Sequence, residues 1–162
     1  MSYVTNNLLA DETVTFTTKL HWKLFIAPAL LAILIFLPLI YFALKSQSKL
    51  LAFVPLILIP IAFVPAYLER MTSEFAVTNK RVIMKAGLFT TRSYELLIAK
   101  VEGIAVTQGV LGKIFDFGDI VVTGSGGTKE PFSDIENPFA FRRAVQSVTD
   151  SQIEPRRHVL SI

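Results

Sequence analysis

The sequence predicts an α+β membrane protein: a hairpin of two transmembrane helices, followed by a small seven-stranded β domain that a C-terminal α-helix caps. Three observations lead to this class. Two long apolar stretches, Leu24–Leu44 and Leu50–Leu68, contain no Asp, Glu, Lys, Arg or His. Short β-like runs separated by turn residues follow them. The last part of the domain has apolar residues at helical spacing.

The two apolar stretches are long enough to cross a bilayer. They contain 21 and 19 residues, and a hydrocarbon core of about 30 Å needs about 20 helical residues. Only Lys45–Lys49 separates them, which predicts a tight antiparallel turn. A signal peptide is disfavoured because its apolar region is shorter. A soluble protein is disfavoured because the rest of the chain would have to cover two helices that are apolar on every face. We therefore predict a transmembrane hairpin over residues 22–70.

The cationic residues around the hairpin predict its orientation, because positive charge favours the cytoplasmic side. Six cations flank the two outer ends of the hairpin, and two lie in its turn. The six are Lys19, Lys23, Arg70, Lys80, Arg81 and Lys85, and the two are Lys45 and Lys49. Both termini and the β domain are therefore expected in the cytoplasm, with the turn outside.

Residues at the span ends are predicted to anchor the hairpin at the membrane interface. Trp22 lies where an aromatic belt residue is expected, and His21 adds a second amphipathic ring. The predicted anchors are His21, Trp22, Lys23, Lys45, Lys49 and Arg70.

Length and composition limit what else the chain contains. The 162 residues leave room for one small domain beside the hairpin. We predict an N-terminal cytoplasmic segment over 1–21, the β domain over 71–150 and a frayed tail over 151–162. The domain holds nine Lys/Arg and nine Asp/Glu, a balance that does not favour a nucleic-acid surface. The chain has no cysteine, so thiolate chemistry and disulfides are excluded.

Short runs with turn residues between them predict seven strands in the β domain. These predicted strands cover 75–78, 81–85, 88–95, 101–107, 114–117, 119–123 and 129–132. Thr13–Thr18 alternates weakly, which predicts an extra edge strand or a segment that docks on the domain.

A helix is predicted to close the domain. Asn137 is a typical N-cap residue, and Pro138 suits the first helical position. Phe141, Val145 and Val148 then recur at i, i+4 and i+7, which gives one apolar stripe.

The order of these motifs resembles the bacterial pleckstrin-homology-like (PH-like) membrane proteins, the DUF304 or YdbS-like family. The resemblance covers residues 9–150, and His21-Trp22 before the first span also matches. The motifs that carry it are Phe75–Ile83, Lys85–Phe89, Lys100–Ile104, Gln108–Ile114, Phe117–Ile120, Thr123–Gly127, Phe132 and Asn137–Arg142. It implies a PH-like split barrel with a C-terminal helix, attached to a bacterial inner membrane. It implies little about biochemistry, because fold does not fix function.

No pattern in the sequence indicates catalysis, a cofactor or a metal site. Gly124–Lys129 lacks the spacing of a phosphate-binding loop, and a strand rather than a helix is predicted after it. The two histidines, His21 and His158, are far apart in the chain, whereas a zinc site needs several converging ligands. We therefore expect no enzyme activity, catalytic residue, cofactor, metal or small-molecule substrate.

Two functions remain open at this point. The first is a membrane-anchored adaptor or scaffold that binds another membrane protein or further copies of itself. The second is contact with anionic lipid headgroups through the basic residues of the first hairpins, which we expect to gather at one end of the barrel. These residues are Lys80, Arg81, Lys85 and Arg92. Transport is disfavoured, because neither span holds an ionisable residue.

Overall fold

The computed structural model describes residues 3–45 and 54–159. The chain forms two compact units. One unit consists of Met1–His21 together with Thr72–Ile162, and we call it the β domain. The other is Trp22–Met71, which we call the apolar unit. The predicted hairpin turn and the start of the second predicted span, residues 46–53, lie outside the described residues.

Two antiparallel sheets build the β domain. The first has the strand order β1-β2-β3-β4: Val14–Thr18, Glu74–Thr78, Arg81–Ala86 and Arg92–Leu97. The second has the order β5-β6-β7: Val101–Thr107, Phe117–Gly124 and Lys129–Glu136. The helices are α1, Tyr3–Asn6; α2, Ile26–Lys45; α3, Val54–Thr72; α4, Val110–Phe115; and α5, Pro138–Val159. Short 3₁₀ turns cover Trp22–Phe25 and Ile98–Lys100.

The mixed α+β class, the seven strands and the C-terminal helix are confirmed, but one predicted strand is wrong. Residues 114–117 do not form a strand, because Val110–Phe115 is the helix α4. Asp116 ends that helix in the left-handed conformation, with φ 56°, which an Asp adopts more readily than most residues. The seventh strand is instead β1. The third predicted strand also begins later than expected, at Arg92.

Strand β1 joins the two sheets. It pairs with β2 in an antiparallel register that sets Thr18 opposite Phe75, which confirms the predicted edge strand. The chain beyond β1 then pairs with β7. The Glu136 N–H donates to the Lys19 carbonyl at 3.0 Å, and the His21 N–H donates to the Asp134 carbonyl at 2.8 Å. The N-terminal segment therefore belongs to the fold of the β domain.

The core lies on one face of the first sheet. Phe75 lies opposite Met84 in register, and Val77 lies opposite Val82, so all four side chains share a face. All are buried, and the Phe75 ring meets the Phe132 ring edge-on, with centroids 5.7 Å apart. Ala76 and Ile83 point to the other face, where Val4 of α1 covers them.

Helix α5 begins at Pro138, and its predicted apolar stripe is confirmed. Phe141, Val145 and Val148 are all buried. The helix continues to Val159, past the predicted end of the domain at Asp150. No glycine follows Asn137 in the sequence, so the commonest helix-terminating residue is missing there.

The apolar unit contains one helix that is long and apolar enough to cross a membrane, among the residues that the structure describes. It spans Trp22–Lys45, 24 residues. Helix α3 packs against it within this unit, and the Phe25 and Phe63 rings stack with centroids 6.4 Å apart. Farther along, Phe36 and Ile59 line one shared apolar groove. The two helices therefore contact each other within the apolar unit.

Phe141 and Phe139 offer a matched test of this core. Phe141 is fully buried with its ring 6.4 Å from that of Phe16, so Phe141→Ala should destabilise the protein by about 3–5 kcal/mol through the cavity it leaves. Phe139 is exposed on the same helix, and Phe139→Ala should change stability by only about 0.5 kcal/mol. Denaturant titration in detergent measures both. Equal unfolding midpoints would contradict the packing described here.

Candidate functional site

A groove runs beside β1 in the β domain, between this strand and the first turn of α5. Its volume is about 630 Å³. It lies where the chain turns from β1 toward β7, because Thr18–Lys19 and Glu136 both line it. The remaining lining residues are Val4, Phe16, Thr17, Glu74, Phe75, Asn137 and Ala140.

The groove combines an apolar floor with charged side chains of both signs. Phe16, Phe75 and Ala140 supply the apolar surface, while Lys19 and Glu74 supply charges. In the described parts of the chain, β2 is the one strand that pairs with Val14–Thr18. The groove therefore lies beside an edge strand of the first sheet, and such a strand can accept an extended peptide by strand addition.

A buried carboxylate fixes the N-terminal segment over the outer face of the first sheet. The Glu12 side chain accepts hydrogen bonds from the Arg81 Nε at 3.0 Å, the Thr78 hydroxyl at 2.7 Å and the Leu9 N–H at 2.7 Å. Arg81 also pairs with Glu95 and donates to the Asn7 carbonyl. Glu12 is therefore a structural residue that holds segment 3–13 in place.

These contacts shift the pKa of Glu12. Burial by itself raises it, but the hydrogen bonds from Arg81, Leu9 and Thr78 and the charge of Arg81 together outweigh burial and hold the pKa below its ordinary value. The same pairing, first through the hydrogen bond to Glu12, raises the pKa of Arg81. Glu12 is thus ionised in the folded protein, and the ion pair stabilises the fold.

The structure does not gather the four predicted headgroup cations at one end of the domain, so that expectation is wrong. Lys80 directly precedes β3 and Arg81 begins it, whereas Lys85 lies near its end, opposite Ser93 at the start of β4. At about 3.3 Å per residue, four residues of strand separate Arg81 from Lys85 by about 13 Å. Lys80 donates a hydrogen bond to the Ala10 carbonyl, and Arg81 forms an ion pair with Glu12.

Lys85 and Arg92 share the opposite end, where the chain passes to the apolar unit and returns from it. We call it the junction end, defined by Thr18 and Glu74. Glu74 lies opposite Lys85 in the sheet, and the Lys85 ammonium lies 4.3 Å from the centroid of the Tyr3 ring. Arg92 is exposed. Headgroup contact by any of the four cations remains a prediction.

The predicted interface anchors differ in their surroundings. His21 is only 3% exposed, and its ring packs on that of Phe117 with centroids 4.9 Å apart, so it contributes to the packing of the β domain. Trp22 is exposed, and the Lys45 ammonium lies 5.3 Å from the Tyr41 ring centroid. Lys23 follows Trp22 in the 3₁₀ turn, Arg70 lies in the last turn of α3, and Lys49 lies outside the described residues.

Within residues 3–45 and 54–159, no group of three or more His, Asp or Glu side chains is arranged to hold a metal ion. The cluster of Glu12 with Arg81 and Glu95 is used to fix the N-terminal segment. The groove beside β1 is open to a partner.

Sequence reasoning found neither the groove nor the Glu12–Arg81 pair. Both depend on β1 lying beside β2 although about 55 residues separate them in the chain. The one available signal was the weak alternation in Thr13–Thr18, which correctly indicated an edge strand but not which edge it leaves open.

The family comparison matches this architecture. The profile of the bacterial PH domain family matches residues 24–149, which covers both the apolar unit and most of the β domain. The chain belongs to the bacterial PH domain family. The predicted resemblance to bacterial PH-like proteins is therefore confirmed. No curated protein and no solved structure matches the chain.

Membership in this family indicates a kind of function. PH-like domains are in general binding modules rather than catalysts, and they commonly bind lipids or proteins.

The lowered pKa of Glu12 predicts an acid-sensitive contribution to stability. A carboxyl whose folded pKa lies below its unfolded value stabilises the fold above about pH 4.3, the ordinary value for Glu, and that stabilisation disappears as the pH falls through the folded pKa. Glu12→Gln should therefore lower stability at neutral pH and flatten its acid dependence. Glu102→Gln, at an exposed position, is the control.

Thermal unfolding of the detergent-extracted protein between neutral and acidic pH provides the measurement. The wild type and Glu102→Gln should lose stability on acidification more steeply than Glu12→Gln. Parallel curves for all three proteins would contradict the assignment of this ion pair.

Proposed function

We propose that this bacterial PH domain protein is a non-enzymatic, membrane-anchored adaptor or scaffold. Its β domain binds a segment of another membrane protein, or of a further copy of itself, at the inner membrane. The observation that carries the proposal is the groove beside the edge strand β1, on a member of a family of binding modules.

The exposed apolar surface of α2 supports membrane anchoring. Leu30, Leu34 and Phe42 are all exposed, Leu34 by 75%. Contiguous apolar surface of this kind requires cover from lipid or protein. The 24 residues of Trp22–Lys45 correspond to about 36 Å of helix at 1.5 Å per residue, enough to cross the hydrocarbon core.

Strand pairing supports a second span. Thr18 and Phe75 lie opposite each other in the first sheet, so the chain returns to the point from which it left. A single crossing would leave these two residues on opposite sides of a core about 30 Å thick. If Trp22–Lys45 crosses the membrane, Leu50–Leu68 must cross back, with the β domain and both termini on the cytoplasmic side that the flanking cations favour.

The position of the groove supports a membrane-bound partner. It includes Thr18, Lys19 and Glu74, which lie at the junction end. An extended segment bound there would lie close to the bilayer. Juxtamembrane segments of other membrane proteins, or of a second copy, are therefore the favoured ligands, and nucleic acid or a small-molecule substrate is not.

Filling the groove tests the adaptor proposal. Ala140 lines the groove, so Ala140→Trp should displace a bound segment while leaving the sheets intact. Ala144→Trp, one turn farther along α5 and also half-buried, is the matched control. Native mass spectrometry of complexes extracted gently from membranes measures the partner stoichiometry.

We expect the wild type and Ala144→Trp to retain a stoichiometric partner, either a second protein or further copies of the 18.0 kDa chain, and Ala140→Trp to lose it. A wild type that is extracted as a bare monomer would contradict the adaptor function. Thermal unfolding of each variant separates lost binding from lost folding.

The alternative function is contact with anionic lipid headgroups. Lys85 and Arg92 favour it, because they lie at the junction end and Arg92 is exposed. The other two predicted contacts, Lys80 and Arg81, lie at the far end, where β3 begins, and bond to the N-terminal segment. The alternative therefore depends mainly on Lys85 and Arg92.

The amount of anionic lipid that remains bound after extraction distinguishes headgroup binding from the adaptor function. In nanodiscs of mixed zwitterionic and anionic lipid, Lys85→Gln with Arg92→Gln should reduce the anionic lipid that remains bound after extraction, because each cation near a membrane surface contributes about 1 kcal/mol. Lys80→Gln, at the far end of β3, should leave it unchanged. Equal retention by all variants would exclude headgroup binding at this site.

A further inference from the structure

We propose that the β domain itself contacts the bilayer through two apolar points at the junction end, the turn that carries Phe89 and the helix α4. This inference rests on the membrane anchoring proposed above and adds a second contact to it. The ligand is the lipid interface, and the contact would set how the domain is held against the membrane.

Phe89 is the most exposed large apolar side chain of the β domain among the described residues, at 94%. The turn that presents it is fixed at its base. Gly87 has φ +109°, and a Cβ there would lie 2.2 Å from the Thr90 carbonyl oxygen, so only glycine fits without strain. The Gly87 N–H donates to the Ser73 hydroxyl, and the Thr72 hydroxyl donates to the Gly87 carbonyl, each at 3.3 Å.

Helix α4 is the second point. Its side chains Val110, Leu111 and Ile114 are 77%, 62% and 68% exposed, and Phe115 and Lys113 are exposed as well. Gly112 is the buried residue of this helix, and a Cβ there would lie 2.5 Å from the Phe117 carbonyl oxygen. The side chains of Val110, Leu111 and Ile114 are exposed on the same helix.

Both points lie beside the residues at which the chain passes between the two units. The Phe89 turn bonds to Thr72 and Ser73, directly before β2. Helix α4 precedes Phe117, whose ring packs on His21, and His21 directly precedes Trp22, where the apolar helix begins. Consecutive Cα atoms are 3.8 Å apart, so a bilayer that contains this helix passes close to His21.

One continuous row of strand partners connects these positions. Ser93 lies opposite Lys85, and Lys85 lies opposite Glu74. The next residue, Phe75, lies opposite Thr18. The row continues through Lys19 to Glu136, and Glu136 lies opposite Phe117. The Phe89 turn thus lies at one side of the junction end, and α4 lies at the other.

The chemistry of the two points suits a bilayer interface better than a protein partner. Each apolar group has cations next to it: Arg92 follows the Phe89 turn, and Lys113 lies on α4. Aromatic and aliphatic side chains beside lysine and arginine are typical of segments that lie in the interface of anionic membranes. The far end of the domain carries the turn Gly124–Thr128, which is polar.

Single-cysteine labelling of the full-length chain tests the inference, and the natural absence of cysteine makes it direct. In the variants Phe89→Cys and Ile114→Cys, the new cysteine is labelled with an environment-sensitive fluorophore. Ser125→Cys, exposed at the far end of β6, is the control for the aqueous side. Leu34→Cys on α2 reports on the anchor. Each protein is reconstituted in phosphatidylethanolamine–phosphatidylglycerol vesicles with and without acyl-chain nitroxide lipids.

We expect nitroxide lipids to quench the labels at 34, 89 and 114 and to spare the label at 125. Quenching at 34 but not at 89 and 114 would overturn this inference and leave the anchor intact. Blue-shifted emission at 89 and 114 without lipid quenching would also overturn it, because another protein chain would then cover these points. No quenching at 34 would contradict membrane anchoring itself.

Discussion

The pairing of β1 with β2 is the constraint on which the rest of the molecule depends. The two strands are neighbours in the sheet, yet the whole apolar unit lies between them in the sequence. A long insertion of this kind costs little additional closure entropy, since that cost grows only with the logarithm of loop length. The pairing fixes both ends of the insertion side by side. It thereby defines the junction end and requires the inserted chain to come back to its starting point.

The N-terminal segment that leads into β1 is held against the same sheet by apolar contacts and by an ion pair. Residues 3–13 cross the outer face of the first sheet, where Val4 covers Ala76 and Ile83. Without that cover, the Ala76 and Ile83 side chains would face water. The ion pair between the buried Glu12 and Arg81 holds the same segment in place. Breaking such a pair leaves an uncompensated charge and costs about 3–5 kcal/mol. Segment 3–13 therefore stabilises the sheet whose edge forms the groove.

Local patterns predicted the elements that local chemistry determines. Helix α5 begins at Pro138 and buries Phe141 because the fixed φ of proline and helical periodicity act within a few residues. The pattern at 114–117 misled because Phe115-Asp116-Phe117 alternates as in a strand, whereas Asp116 adopts the left-handed conformation that ends α4. Arg81, Lys85 and Arg92 were placed correctly on strands, and Lys80 in the turn before them. Their grouping was wrong because it depends on which end of β3 each one occupies.

For the proposed adaptor, confinement to a membrane would make a shallow groove sufficient. A mixed apolar and charged groove of about 630 Å³ would bind an extended segment weakly from solution, because ordering that segment costs part of the interaction energy. Two proteins held in one bilayer meet at an effective concentration set by their tethers, which reaches the millimolar range for short connections. This gain in effective concentration is lost when the tethered segment cannot reach the groove. In the proposed function, the juxtamembrane segment of a partner can reach the groove because the groove borders the junction end.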